Sequence, residues 1–260
     1  MKVSFIYFSP HLDDVVLSCG GFLRKHYKKA QLIVNIFTGK YKGLTKWDLL
    51  CGIRKNPILI RKKESQKALK WIKAKEIYLN FLDNAVFRDL TFTKRPSSDF
   101  LKIKNRLLKI INKSIPSLKA IFFPLGTSHP DHLLVAKVGR DISSQLVYKK
   151  IKIYFYEDFP FFYNSNPPVH RASIFLEDLT PIYFKIDEEI LIKLKMVMTY
   201  KSQLFSLLQI LYPHLKLSGR VKENLEKPWK EFLLSYHKSL TEEGKIKNAK
   251  FCERFWILKK

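Results

Sequence analysis

Cysteine is scarce in this chain. Cys19, Cys51 and Cys252 are odd in number and widely spaced, which excludes a disulfide framework, and no C-x-x-C pair suggests a zinc ribbon. Free thiols fit a reducing compartment. Nine glycines and twelve prolines among 260 residues exclude collagen-like and low-complexity chains. Long apolar runs are missing as well. Leu204–Tyr212 comes nearest, is interrupted by Ser206 and Gln209, and falls far short of the roughly 20 residues of a membrane span. The N-terminal MKVSFIYFSPHLDD has one lysine, an apolar run stopped at Pro10 and no small-residue cleavage site, so no secretory leader is expected and the protein reads as soluble and cytoplasmic. Acidic residues are few: 23 Asp and Glu face 48 Lys and Arg, leaving a formal charge of +25. Such a balance attracts nucleic acid, anionic lipid or an anionic substrate. It is equally the mark of a lysine-rich solvated surface.

What is present is apolar material for a real core, 46% hydrophobic and 14% aromatic. Over residues 1–157 two patterns alternate. Short apolar runs at Val3–Phe8, Gln31–Thr38, Glu76–Phe81, Ala120–Pro124 and Ile151–Tyr156 read as buried strands. Between them, Val15–Lys29, Pro57–Lys73, Asp99–Ser114 and Pro130–Val147 read as helices, and 40–56 as a basic loop. Strands joined by helices of this length must be parallel with right-handed crossovers. The expected fold class is α/β: a Rossmann-like, doubly wound, mostly parallel sheet with helices on both faces. Residues 158–260 hold a Pro-rich loop (Phe159–Pro168), a strand at Ile182–Ile186, helical stretches near 188–211 and 223–240, and a closing strand in ERFWIL. No linker-like composition sets this part apart, so it reads as an elaboration packed on one 1–260 domain. Leu204–Leu217 carries more apolar surface than one buried face needs; core formation, a cleft cover, a subunit contact and lipid contact are all open to it.

Ligands of doubly wound sheets bind beyond the carboxyl ends of the strands, at the switch in strand order. Strands one and four are expected to be neighbours there. The first is followed by Ser9-Pro-His-Leu-Asp-Asp14 and the fourth by Gly126-Thr-Ser-His-Pro-Asp-His132. Two imidazoles and a carboxylate can hold Zn²⁺ and leave a position for water. His11 and Asp14, three apart across a strand-to-helix turn, could converge on one ion, with His132 completing the set. Asp13 would lie beside the metal as a general base. His129, as an imidazolium, could stabilise an oxyanion, with Asp131 orienting it. Taken singly, Asp13 or Asp14 would read as a helix cap.

PHLDD followed by HPDH resembles the LmbE/PIG-L family of zinc-dependent de-N-acetylases. SPHLDDVVLSCGG (Ser9–Gly21) looks like one bacterial branch of it, and Arg61-x-x-Glu64, Phe81-Leu-Asp83, Tyr156-Glu-Asp-Phe-Pro160, Tyr200-Lys-Ser-Gln203 and Glu253-Arg-Phe-Trp256 extend the likeness along the chain. The resemblance implies His11, Asp14 and His132 as ligands of one zinc per chain, Asp13 as base, His129 as oxyanion stabiliser and Asp131 as its partner. It implies removal of an acetyl group from N-acetylglucosamine in a glycan, glycolipid or glycoside, with Arg61 and Asp83 at family-like positions for substrate contact. The chain departs from the common first motif at Leu12 and Val15, neither a proposed ligand, and residues 121–131 lack the tyrosine some members place there.

Three rivals arise from the residues. His11-Leu-Asp13 with His132 also matches a two-histidine, one-carboxylate iron triad, which would leave Asp14 idle. A hydrolase of another amide would use the same centre. The basic clusters Lys40–Lys46, Arg54–Lys63, Lys102–Lys113 and Lys245–Lys260 suggest a nucleic-acid or anionic-membrane surface, although no nucleic-acid-binding signature accompanies them. No specific nucleic-acid partner is therefore expected. Peripheral contact with an anionic membrane, holding a phosphate-bearing or lipid-linked sugar, stays open.

Overall fold

A computed structural model of the chain describes residues 2–39, 43–44, 48–49, 52–83, 98–127, 129–146, 149–160, 178–212 and 225–259. Five parallel strands come first: β1 (Phe5–Ser9), β2 (Gln31–Asn35), β3 (Lys75–Tyr78), β4 (Ala120–Pro124) and β5 (Lys152–Tyr156). Between them run α1 (Asp14–Lys25), α2 (Pro57–Leu69), α3 (Ser98–Ser114) and α4 (Pro130–Leu146). The C-terminal part adds β6 (Leu179–Lys185), α5 (Ile190–Val197), α6 (Lys201–Leu211), α7 (Glu226–Glu243) and β7 (Cys252–Leu258). The sheet runs β3-β2-β1-β4-β5-β7-β6, with β7 antiparallel to both its neighbours. The switch in strand order thus falls between β1 and β4.

Strands β1, β2 and β4 are buried along their whole length, as continuous apolar runs must be when helices cover both faces. Side-chain alternation divides the core. Tyr7, Phe122, Tyr154 and Phe255 pack towards α1 and the C-terminal helices, whereas Ile6, Phe8, Val34 and Phe123 pack towards α3 and α4. Residues Leu204, Phe205, Leu207, Leu208 and Leu211 of α6 are buried; residues 213–217 of the same apolar run, and 161–168 of the Pro-rich loop, lie outside the described residues. Among the described residues no helix is long and apolar enough to cross a membrane.

Several boundaries differ from the sequence expectation. β2 stops at Asn35 rather than Thr38, and β3 at Tyr78 rather than Phe81; beyond them the chain leaves the regular ladder but stays hydrogen-bonded to its neighbours, Phe37 N–H donating to Pro10 O at 2.9 Å and Gly39 N–H to Phe81 O at 2.9 Å. The helical stretch 188–211 is two helices broken near Tyr200, whose hydroxyl donates to Leu12 O at 3.1 Å. The break places a C-terminal side chain on the PHLDD loop.

A buried ion pair ties the C-terminal part to α1. Lys193 Nζ donates to Glu253 Oε1 at 2.7 Å, and the Glu253 carboxylate accepts the Gly21 and Phe22 N–H groups at 2.7 Å each. Gly20 and Gly21 permit this approach: a Cβ on Gly20 would lie 2.9 Å from Lys193 Cγ, and one on Gly21 2.8 Å from Ile186. Breaking one partner of such a pair leaves an uncompensated charge in the core, which costs about 3–5 kcal/mol. Glu253→Gln should lower stability by that amount in urea unfolding; a change below about 1 kcal/mol would show that the pair is not buried as described.

Candidate metal and catalytic site

The PHLDD loop is built by the turn off β1. Ser9 Oγ accepts Val15 N–H at 3.3 Å and donates to His11 O, and Asp14 Oδ2 accepts His11 N–H at 2.7 Å. These bonds fold His11 back over the first turn of α1. The HPDH loop follows β4, where Gly126 adopts φ +82° and a Cβ would strike Ala136 Cβ at 2.5 Å. Both loops meet at the switch point.

Three donor atoms then form a nearly equilateral triangle. His11 Nδ1 to Asp14 Oδ2 is 3.3 Å, His132 Nε2 to Asp14 Oδ2 is 3.2 Å, and His132 Nε2 to His11 Nδ1 is 3.3 Å. Tetrahedral zinc with bonds of about 2.0–2.1 Å requires ligand-to-ligand edges of about 3.3–3.4 Å. The donor set is two imidazoles and one carboxylate, a set that suits a divalent metal such as zinc. The carboxylate on both imidazoles is that of Asp14, whereas the iron-triad alternative requires Asp13 there.

The electrostatics agree with that fit. Burial pulls His132 down, but Asp14 and Asp158 outweigh it and push it up to about 10. Burial opposes charge on His11 too, and the Asp131 and Asp14 carboxylates overcome it. Burial raises Asp14, yet His132 and His11 hold its pKa well below the usual range. The cluster thus favours positive charge at the two imidazoles, which a dication replaces on proton release.

Each imidazole presents its other nitrogen to a buried carboxylate. His11 Nε2 is 3.2 Å from Asp131 Oδ2 and 3.5 Å from Asp83 Oδ2; His132 Nδ1 is 2.9 Å from Asp158 Oδ1. Carboxylate–histidine pairs of this kind fix the tautomer and orientation of a metal-ligating ring. Asp158 does more: its second oxygen accepts Gly126 N–H at 2.6 Å and Thr127 N–H at 2.7 Å, pinning the loop that leads into α4 and His132. Sequence reasoning did not place Asp158 in the site. Its signal was Tyr156-Glu-Asp-Phe-Pro160, directly after the strand next to β4. Asp158→Asn is expected to weaken metal binding by about 10–100-fold, measured by competition with a chelator, and unchanged affinity would remove it from this role.

Asp13 is buried and stands at the N-cap position of α1, yet its side chain makes no capping hydrogen bond. Burial, then the neighbouring Asp14, push its pKa up to about 6, against the pull of His11 and Arg61. The capping role open to it in the sequence is therefore not what holds it there. His129 is brought within 4.9 Å of the His11 ring and 5.2 Å of the His132 ring. Its Nδ1 accepts Asp131 N–H at 3.2 Å, so the neutral ring carries its proton on Nε2. Burial, followed by the positive charge of His11 and His132, pushes His129 down to about 3. An imidazolium, the sequence expectation, is disfavoured here, and a metal dication acts in the same direction. Asp131 serves both rings, with its carboxylate on His11 and its backbone on His129.

Arg61 lies on α2, where its Nη2 donates to Asp48 Oδ1 at 2.8 Å and its buried Nε has no hydrogen-bond partner among the described residues. The R-x-x-E motif is completed by Glu64, whose carboxylate accepts Ser202 N–H at 2.9 Å and Ser202 Oγ–H at 2.5 Å and so anchors the start of α6.

The sequence profile of the PIG-L family, GlcNAc-PI de-N-acetylase, matches residues 6–143. Three solved structures share the fold at low identity. The zinc-inhibited form of teicoplanin deacetylase Orf2 is 18% identical, over 98% of this chain and 97% of that one, with a TM-score of 0.70. N,N'-diacetylchitobiose deacetylase from Pyrococcus horikoshii is 17% identical over 97% and 82%, with a TM-score of 0.58. GalB, the 4-carboxy-2-hydroxymuconate hydratase from Pseudomonas putida, is 15% identical over 100% and 98%, with a TM-score of 0.54. The last performs a different reaction, so the fold does not fix the chemistry. No curated protein sequence matches the chain. With its profile covering both motif loops, the chain belongs to the PIG-L family and is a hydrolytic deacetylase acting on N-acetyl amides.

Proposed function

We propose that the protein removes the acetyl group of an N-acetylglucosamine-type amino sugar, in a glycan, glycolipid or glycoside, with one zinc ion held by His11, Asp14 and His132. The observation that carries this reading is the triangle of donor atoms with a buried carboxylate beside it that makes no capping hydrogen bond. Zinc bound there supplies a Lewis acid for an acyl oxygen and lowers the pKa of water. Asp13 takes a proton from the attacking water as its oxygen adds to the acyl carbon. His129 donates its Nε2–H to the developing oxyanion as a neutral imidazole. On collapse Asp13 returns the proton to the departing nitrogen, and acetate and a free amine leave. Asp83, 3.5 Å from His11 Nε2, and Arg61, whose charge acts on Asp13, are the side chains offered to sugar hydroxyls.

Acetate release from a panel of N-acetylated sugars, glycosides, nucleotide sugars and glycolipids tests the substrate class. One acetate per free amine from at least one amino sugar is expected; activity confined to other amides would overturn the sugar reading. His129→Ala should cost about 10²–10³-fold in turnover, the size of one lost oxyanion donor. Because burial, and then the neighbouring imidazoles, push the His129 pKa down, the variant should keep any alkaline limb of the rate profile. Loss of that limb would restore the imidazolium.

A further inference from the structure

We propose that Tyr200, in the C-terminal part of the chain, is a positioning residue for Asp13 and acts through the peptide group that joins Leu12 to Asp13. This rests on Asp13 being the base, as read above. Tyr200 is fully buried, and its hydroxyl donates to Leu12 O at 3.1 Å. That oxygen belongs to the same rigid amide plane as the Asp13 nitrogen, so holding it fixes the plane from which the Asp13 residue departs. Leu12 precedes the N-cap of α1, and among the described residues no backbone N–H donates to its carbonyl. The tyrosine hydroxyl is therefore what restrains the rotation of this plane.

Asp13 depends on such a restraint more than its neighbours do. It occupies the N-cap position, yet its side chain makes no capping hydrogen bond, so its place is set by its own backbone. His11 is tied on both sides of its Cα without help from Tyr200: its N–H donates to Asp14 Oδ2 at 2.7 Å, and its carbonyl accepts from Ser9 Oγ–H. Removing the Tyr200 hydroxyl thus bears on the base and spares the triangle of metal ligands. Tyr200 is itself held firmly. It stands at the break between α5 and α6, where its N–H donates to Val197 O at 3.0 Å. On one side of it Thr199 Oγ1 donates to Met196 O at 2.7 Å. On the other, Ser202 gives both its N–H and its hydroxyl to Glu64, the acidic member of the R-x-x-E motif on α2. The R-x-x-E and Tyr-Lys-Ser-Gln motifs, far apart in sequence, are in this way one assembly that ends on the PHLDD loop.

A double-mutant cycle with Asp13 tests this. Tyr200→Phe keeps the packed ring and removes only the hydroxyl. Because a misplacement of about 1 Å near the reacting atoms costs up to about 10²-fold, it should lower kcat about tenfold or more and leave KM within about threefold. Zinc affinity, by competition with a chelator, should stay as in the parent. In Asp13→Asn there is no base left to position, so the same substitution should there cost less than about twofold. Trp229→Phe is the control for a weakened core: it takes the indole N–H from Leu204 O, 3.0 Å away on the same α6, and should lower the thermal midpoint with kcat retained. All rates are compared well below the lowest midpoint of the set. If Tyr200→Phe does not fold, Ser202→Ala, which frees one bond between Glu64 and α6, replaces it in the cycle with a smaller loss of the same pattern. An unchanged kcat, an equal loss in both backgrounds, an equal loss in the Trp229 control, or zinc lost together with rate overturns the proposal and leaves the base assignment standing. Near-native turnover in Asp13→Asn removes the base itself, and the proposal with it.

Discussion

Alanine at His11, Asp14 or His132 is expected to empty the metal centre and abolish acetate release while leaving a folded protein. The three donor atoms stand 3.2–3.3 Å apart, so each supplies one corner of the same coordination face. Loss of an outer partner of a ligating histidine costs about 10–100-fold in affinity, and loss of a ligand itself should exceed that. His11 sits in the loop after β1, and Asp14 and His132 in the first turns of α1 and α4, all outside the two apolar clusters, which is why the fold should survive. It will not survive unchanged. Asp14 also accepts His11 N–H, and His132 balances Asp158, so a lower thermal midpoint is expected for both. Metal content by mass spectrometry and far-UV circular dichroism separate the two effects. Full zinc occupancy in two of the three variants would mean that the ligand set is wrong.

Asp13→Asn should behave in the opposite way. It should retain its metal, because Asp14 and not Asp13 lies on both imidazoles. It should lose about 10²–10⁴-fold in rate, the range of a general-base contribution. Stability should hold or rise, since the carboxylate makes no capping bond and its burial beside Asp14 is unfavourable to charge. Losing rate without losing stability or metal is the signature of a group that acts on the reacting atoms. The pH dependence follows from the same environment. Burial and Asp14 push Asp13 up to about 6, and a base must be ionised, so the rate falls as pH drops through that pKa. A bound dication draws it lower, which puts the acid limb at or below pH 6. Near-native turnover in Asp13→Asn, or an acid limb above pH 7, would remove Asp13 as the base.

Much of this site was legible in the sequence because the relevant signals are local. Apolar runs of strand length between helical stretches imply a parallel sheet, and polar loops at the ends of the first and fourth runs meet only if those strands are neighbours, as β1 and β4 are. What the sequence concealed is long-range. Asp158 orients His132 from another strand end, Tyr200 holds Leu12 O across 188 positions, and Glu253 caps two N–H groups of α1 from 232 and 231 positions away. Their motifs were visible, but a carboxylate in a strand-end motif does not say which backbone it will meet. The protonation of His129 was hidden for a different reason. HPDH places an acid beside a histidine, which suggests a cation, whereas the fold buries His129, sets it beside His11 and His132, and turns that acid towards His11. The strand ends were overestimated because Ile36–Thr38 and residues 79–81 are as apolar as the strands they follow, and only the loss of the regular ladder separates them.

Hydrolysis of an N-acetylated amino sugar at this centre should depend on one metal ion. Its most direct test is acetate release by chelator-stripped protein titrated with zinc, using the best sugar of the panel. The stripped protein should be inert, its rate should rise linearly to one equivalent of zinc per chain and then stop rising, and His132→Ala should not be restored. A stripped protein with undiminished rate, or activity recovered only with ferrous iron and accompanied by oxygen consumption, would contradict it.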